Sequence, residues 1–241
     1  MKNEEYKKKI EDFFKNKEEF WTLYKKDFIN YKTQNLQEHY AEYMLKNNIL
    51  EKFKGIKLGQ REDKPYLLNH SKCKYNKYST REKDTCKKMV LKREKLEMPE
   101  IRKELGEPFD FQVPLKNKQK EKYGEIDLLT YRKEEKCIYM VEAKSVRSTE
   151  TALRAILEIA TYYSLLGKEG RKKIKKEFNE NKKRYNLEKY PDAEEIKKAV
   201  LFFEGTTPAK DIKNISEVKT LAKELDIKVV VEDGEEFMPN S

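Results

Sequence analysis

The chain has 241 residues, enough for one large domain or two small ones. Charged residues make up 41% and hydrophobic ones 37%, against a usual charged share of roughly a quarter; with 11% aromatics this excludes a disordered chain and predicts long exposed helices around a modest core. The net charge of +10 favours a polyanionic partner, nucleic acid before a membrane surface, although lysine-rich composition alone gives the same surplus.

The first half reads as helical and charged. Phe13, Phe14, Phe20, Trp21, Tyr24 and Phe28 recur at roughly helical spacing among lysines and glutamates, the pattern of a packing face, with base stacking by Trp21 as the sharper alternative. "LQEHYAEYMLKNNILEKF" continues it until Gly55, Gly59 and Pro65 break the pattern, and residues 69–80 read as a loop. A charged helix is predicted from Glu82 to about Glu97. The next has Pro99 at its first position and Gly106 just past its end.

From residue 109 the character changes. "FDFQVPL", "GEIDLLTY" and "KCIYMVEAK" read as three strands, the last two joined by the charged turn "RKEE". "TETALRAILEIATYYSLLG" reads as a helix ended by Gly167. Residues 168–189 hold ten Lys/Arg against four Glu. "PDAEEIKKA" reads as a helix capped by Asp192 with Glu195 three residues on, then "VLFFEG" as a strand, "ISEVKTLAKEL" as a helix and "IKVVVED" as the last strand. The order predicts an α/β fold: a mixed central sheet flanked by helices, with a helical N-terminal region.

Three charges interrupt the best strands. Asp127 lies in the second; Glu142 and Lys144 share a face of the third, while Val141 and Ala143 point the other way. Glu125 and Asp127 share a face of their own strand. In a hairpin the two acids converge at one end, where carboxylates repel unless a cation lies between them. Oxygen ligands of this kind suit Mg²⁺, or Mn²⁺ in its place. With a lysine beside them, such a set suits hydrolysis of a phosphodiester.

"EID" followed fifteen residues later by "EAK" resembles the pattern of the PD-(D/E)XK, or restriction-endonuclease-like, nuclease superfamily over about residues 95–232. The resemblance implies a restriction-endonuclease-like sheet in a nuclease core at 95–241, with residues 1–94 gripping substrate or forming a dimer. It makes Asp127 and Glu142 metal ligands, Lys144 the catalytic lysine, and the Ala143 carbonyl a further ligand. Many members add a glutamate from the helix before the first strand; Glu94, Glu97, Glu100 and Glu104 compete, with Glu97 preferred. A Gln-x-x-x-Tyr element follows the lysine in several branches; here Glu158 and Tyr162 hold that spacing, with Glu in place of Gln. The implied activity is a Mg²⁺-dependent DNA endonuclease, in restriction, phage defence or DNA repair. The alternatives are an RNase and a non-catalytic nucleic-acid-binding protein on the same fold. Cutting both strands of a duplex with one site per chain implies a homodimer.

Other groups are weighed beside these. Arg147 and the basic run Lys172, Lys173, Lys175 and Lys176 are candidate phosphate contacts, with Phe178 or Tyr185 stacking on bases; the competing reading is a solvated helix face. His70, Cys73 and Cys86 could ligate zinc but lack a fourth ligand, since His39 is distant and Cys137 sits in a strand. Three cysteines at irregular spacing form no disulfide framework, and no run has signal-peptide or transmembrane character, so a soluble cytoplasmic protein without membrane partners is expected.

Overall fold

In a computed structural model of the chain, the structure describes residues 2–15, 20–56, 61, 64–68, 70, 73–74, 76, 79–115 and 123–238. Five strands form one sheet in sequence order: β1 (Glu107–Pro114), β2 (Glu125–Arg132), β3 (Cys137–Ala143), β4 (Glu195–Phe203) and β5 (Ile227–Glu232). β1, β2 and β3 pair antiparallel as a meander, whereas β3, β4 and β5 pair parallel. The parallel pairs need crossovers. α6 (Ala152–Asn181) supplies the first, and α7 (Thr207–Asn214) with α8 (Ser216–Glu224) the second. The fold is therefore α/β, with a mixed sheet covered on both faces.

Each face has its own apolar cluster. On one side Ile138, Met140, Val200 and Phe202 pack against Leu153, Ile156, Leu157 and Ala160 of α6. On the other, Tyr139, Val141, Ala143, Ala199 and Leu201 pack with Cys86 and Met89 of α4 (Glu82–Leu91) and with Ile101 and Leu105 of α5 (Pro99–Leu105). α5 starts at a proline and ends at Gly106, whose φ of 83° suits a residue without Cβ and whose N–H returns to the Ile101 and Arg102 carbonyls.

The N-terminal helices α1 (Lys2–Lys15), α2 (Gln34–Lys46) and α3 (Ile49–Lys54) share the α6-side cluster through Ile10, Phe13, Leu36, Tyr40 and Phe53. The aromatic stripe serves packing: Phe14 meets Phe20 and Tyr43 edge-on, and Trp21 lies against Tyr123 with Lys25 over its ring. Its later part, Phe20–Lys25 and Asp27–Asn30, winds as two 3₁₀ turns. Asn30 Oδ1 and the Ile29 carbonyl accept hydrogen bonds from Thr151, the N-cap of α6, at 2.8 and 3.0 Å. The N-terminal segment thus fixes where α6 begins.

Two expectations need correction. Residues 192–194 and the first half of β4 form no helix: Glu194 N–H bonds the Lys136 carbonyl, and every residue from Glu195 to Leu201 pairs along β3. Asp192 caps nothing; it pairs with Lys182 at 2.5 Å. The local capping pattern loses to a strand that needs a partner along its whole length. α6 also does not stop at Gly167. That residue (φ 59°, ψ −173°) kinks the helix, which resumes to Asn181. α7, opened by Thr206 and Pro208, was not anticipated from the sequence. Among the described residues no helix is long and apolar enough to cross a membrane.

Candidate active site

The second and third strands place the charges at one end of the sheet. Leu128 pairs with Val141, and one step further the ladder gives way to a side chain: Asp127 Oδ2 accepts the Ala143 N–H at 3.0 Å. The strands bend there. Phe111 and Leu128, a pair, face the α4 side, while the next pair, Val113 and Ile126, faces the α6 side. Gln112, between them, has φ 51°. The bend aims Asp127 at the end of β3.

Lys144 is the centre of the site and is only 3% exposed. Its Nζ lies 2.6 Å from Glu142 Oε1, 3.0 Å from Glu150, 3.4 Å from Glu158 and 4.0 Å from Glu82. Glu158 comes from the second turn of α6 and accepts the Tyr162 hydroxyl at 2.7 Å. That hydroxyl in turn meets the Tyr24 hydroxyl at 3.4 Å. Glu150, in the loop before α6, also binds Arg154 at 3.1 Å.

The helix that brings an acid to the strand carboxylates is α4, through Glu82 in its first turn; Glu97 is not in this group. Oxygens of Glu82, Asp127 and Glu142 lie within 4.8 Å of one another. Glu97 is exposed in the link to α5, and Glu104 faces Arg132 and Lys228. Closeness to β1 in the chain does not bring Glu97 to this group. α4 packs across β1 and β2, and this brings a side chain 45 residues upstream of Asp127 to it. Glu150 carried no signal beyond its closeness to Lys144. Glu125 is at the rim, accepting from Gln112 at 3.0 Å with Lys83 at 3.8 Å.

The electrostatics are unbalanced. Five carboxyl groups, Glu82, Asp127, Glu142, Glu150 and Glu158, surround Lys144 and Arg154. Burial first, then the neighbouring acids, pushes Glu142 well above the usual carboxyl range and Asp127 up to about 7. Burial raises Glu82 as well. Burial opposes the charge on Glu158, but Lys144 and the Tyr162 hydroxyl hold it below its usual value. Burial opposes the Lys144 ammonium too, and the carboxylates of Glu142, Glu158, Glu82 and Asp127 more than reverse this. Carboxylates crowded in this way favour a bound cation.

The three donors are all carboxylate oxygens, the ligand type that suits Mg²⁺ or Mn²⁺, and they lie within 4.8 Å of one another, wider than the roughly 4.2 Å allowed to oxygens sharing a cation at about 2.1 Å.

The basic residues separate. Arg147 is exposed, three residues past Lys144 in the chain. Lys172, Lys173, Lys175 and Lys176 do not lie by the site. α6 runs back along the sheet, so its second half lies at the opposite end, where Lys175 Nζ reaches the Glu194 carbonyl at 2.6 Å. Seventeen residues separate Glu158 from Lys175, up to about 25 Å of helix. Lys173 donates to the Arg61 and Lys64 carbonyls, and Lys176 lies 3.8 Å from Glu180. Phe178 and Tyr185 are buried: Phe178 packs at a tilt on Phe109 and Tyr131, Tyr185 meets Phe109 edge-on, and neither offers a face to a base. The zinc trio does not assemble: Cys86 is buried on the α4 face, and His70 turns to Asp110 at 2.8 Å.

No family model matches the chain, and neither the curated proteins nor the solved structures give a match.

Proposed function

We propose that the protein is a metal-dependent nuclease of the PD-(D/E)XK type, hydrolysing phosphodiester bonds of DNA with Mg²⁺ or Mn²⁺. One observation carries the reading: three carboxylates from three different elements converge within 4.8 Å, and a buried lysine sits against them. A meander of three strands followed by a parallel crossover supports it, because that order is the expected frame for the two strand acids and the lysine.

Asp127, Glu142 and Glu82 would hold the cation. When bound, it supplies neutralisation of the phosphate charge and acidification of a water. Lys144 is held protonated by its neighbours, so it acts as a donor that orients water or a phosphate oxygen and not as a base. Glu158, fixed by Tyr162, holds the lysine's position. Arg147 lies outside the buried set, where it meets an incoming phosphate.

The test is purified protein with Mg²⁺ or Mn²⁺ against supercoiled DNA, linear duplex, single strands, branched DNA and RNA. Cleavage that disappears in Asp127→Asn and Lys144→Ala supports the reading. Cleavage that persists in both ends it. Cutting of RNA alone moves the substrate to RNA, and binding without cutting leaves a binding protein on this fold.

A further inference from the structure

The far end of α6 carries a second feature. Lys168, Arg171, Lys172 and Lys175 stand at i, i+3, i+4 and i+7, so they form one face of the helix. That face borders a cleft of about 400 Å³, closed on its other side by Glu194 to Lys197 at the start of β4 and by Asp226. Like charges at these spacings repel along a helix. Ordinary surface helices offset them with acids one turn away, as Lys176 does with Glu180. Here, among the described residues, none of the four has a carboxylate within ion-pair distance.

Of the acids lining the cleft, Glu194 pairs with Lys136 at 2.7 Å and Glu195 with Lys197 at 3.6 Å, while Asp226 forms no ion pair among the described residues. Lys175 spends its ammonium on a backbone carbonyl. A fifth cation stands behind the first four. Lys198 Nζ lies 4.7 Å from the Tyr163 ring centroid, and the Arg171 guanidinium lies 4.0 Å from the same ring. Arg171 is steered by a bond to the Tyr163 carbonyl at 2.7 Å, and Tyr163 by its hydroxyl on the Ile196 carbonyl at 3.2 Å. Burial lowers the Lys198 pKa, and Asp226, outside ion-pair distance, offsets it only in part. The ring holds two cations in place, and among the described residues neither has a carboxylate within ion-pair distance.

We propose that this cleft is a second phosphate-binding site, placed at the opposite end of the sheet from the acid cluster and built to take the backbone of a nucleic acid. Four cations spread over about 10 Å of helix axis. One DNA strand carries a charge every ~3.4 Å, so the face spans about three successive phosphates, more than a single phosphate group needs. The site rests on the nuclease reading only for its role. There it is an anchor that holds the same polymer up to about 25 Å from the point of cutting.

The experiment reads binding without cleavage. A labelled duplex of about 20 base pairs is titrated in metal-free buffer across a salt series, for wild type and for the Lys168→Ala/Arg171→Ala/Lys172→Ala variant. A second variant, Lys210→Ala/Lys219→Ala/Lys223→Ala, removes the same charge from exposed positions of α7 and α8. The expected result is an affinity at least about tenfold lower in the first variant at 0.1 M salt, with the salt slope reduced by about 2 to 3. The second variant binds as wild type. The unfolding midpoint of the first variant stays level or rises, because its loss relieves repulsion. Equal affinity and slope in the first variant, an equal loss in both, or no duplex binding by wild type each overturns the proposal. Wild type that binds but never cuts ends the nuclease reading and leaves this one standing.

Discussion

The Tyr162 hydroxyl occupies the space that a side chain on Gly124 would need. A Cβ there would stand 2.3 Å from Oη, and Gly124 has φ 93°. The glycine that opens β2 and the tyrosine that steadies Glu158 are therefore one fitted contact. Gly124→Ala is expected to cost about 1–3 kcal/mol of stability and to lower cleavage several-fold by displacing Tyr162. Tyr162→Ala alone should also lower cleavage. The double variant should lose less than the two single losses together, measured by urea unfolding and by initial rates.

Asp127→Asn should separate stability from function. The amide oxygen can still accept the Ala143 N–H, and one crowded negative charge is removed. Without metal, its unfolding temperature should equal or exceed that of wild type. With Mg²⁺ at about 100 times its dissociation constant, wild type should gain about 2.7 kcal/mol and the variant almost none. Thermal unfolding with and without Mg²⁺ measures both. An equal metal-dependent gain in the two proteins would remove Asp127 from the metal set.

Lys144→Met leaves Glu142, Glu158 and Glu150 without their shared cation. Breaking a buried pair from one side costs about 3 kcal/mol or more. Wild type should thus lose stability sharply on this change, and Mg²⁺ should restore part of it. Cleavage should fall at least about 100-fold even where the fold is restored, since the donor to water or phosphate is gone.

His70 and Asp110 give a pH dependence away from the acid cluster. His70 Nε2 lies 2.8 Å from buried Asp110, with Cys73 on its other ring nitrogen and the Tyr185 hydroxyl on the far side of the carboxylate. Burial opposes the histidine's charge, but Asp110 and Cys73 outweigh it and raise its pKa above 6.5. The folded state therefore binds the proton more tightly than the unfolded chain. The stability this contributes is complete below pH 6.5 and is lost as pH rises through the folded value. Burial also raises Asp110, which acts in the same direction. Urea unfolding of His70→Gln should show a flatter decline between pH 6 and 8 than wild type, and an unchanged slope would contradict the pairing.

Much of this was legible in the strands. Alternation along "GEIDLLTY" and "KCIYMVEAK" placed Glu142 and Lys144 on one face, and the hairpin brought Asp127 to them, because a strand's period and its pairing are local properties. Glu158 and Tyr162 followed from helical spacing after the lysine. What sequence spacing missed was set by packing between distant elements. Glu82 reaches the site only because α4 crosses β1 and β2. Residues 192–199 carry a helix-like capping pattern, yet β3 recruits Glu195 onward as its partner. The basic run looked adjacent to Glu158 and Tyr162, and it is, in the chain; an antiparallel return carries it to the other end of the sheet.

α6 begins beside the acid cluster, kinks at Gly167 and ends past the basic cleft, so a single helix sets the spacing between both ends of the molecule. Its length is a ruler. Each residue added or removed between Glu158 and Lys168 shifts the interval by about 1.5 Å and turns the cationic face by about 100° around the axis. The distance between the acid cluster and the basic cleft is then written as a residue count, and the kink at Gly167 marks the joint where that measure changes direction.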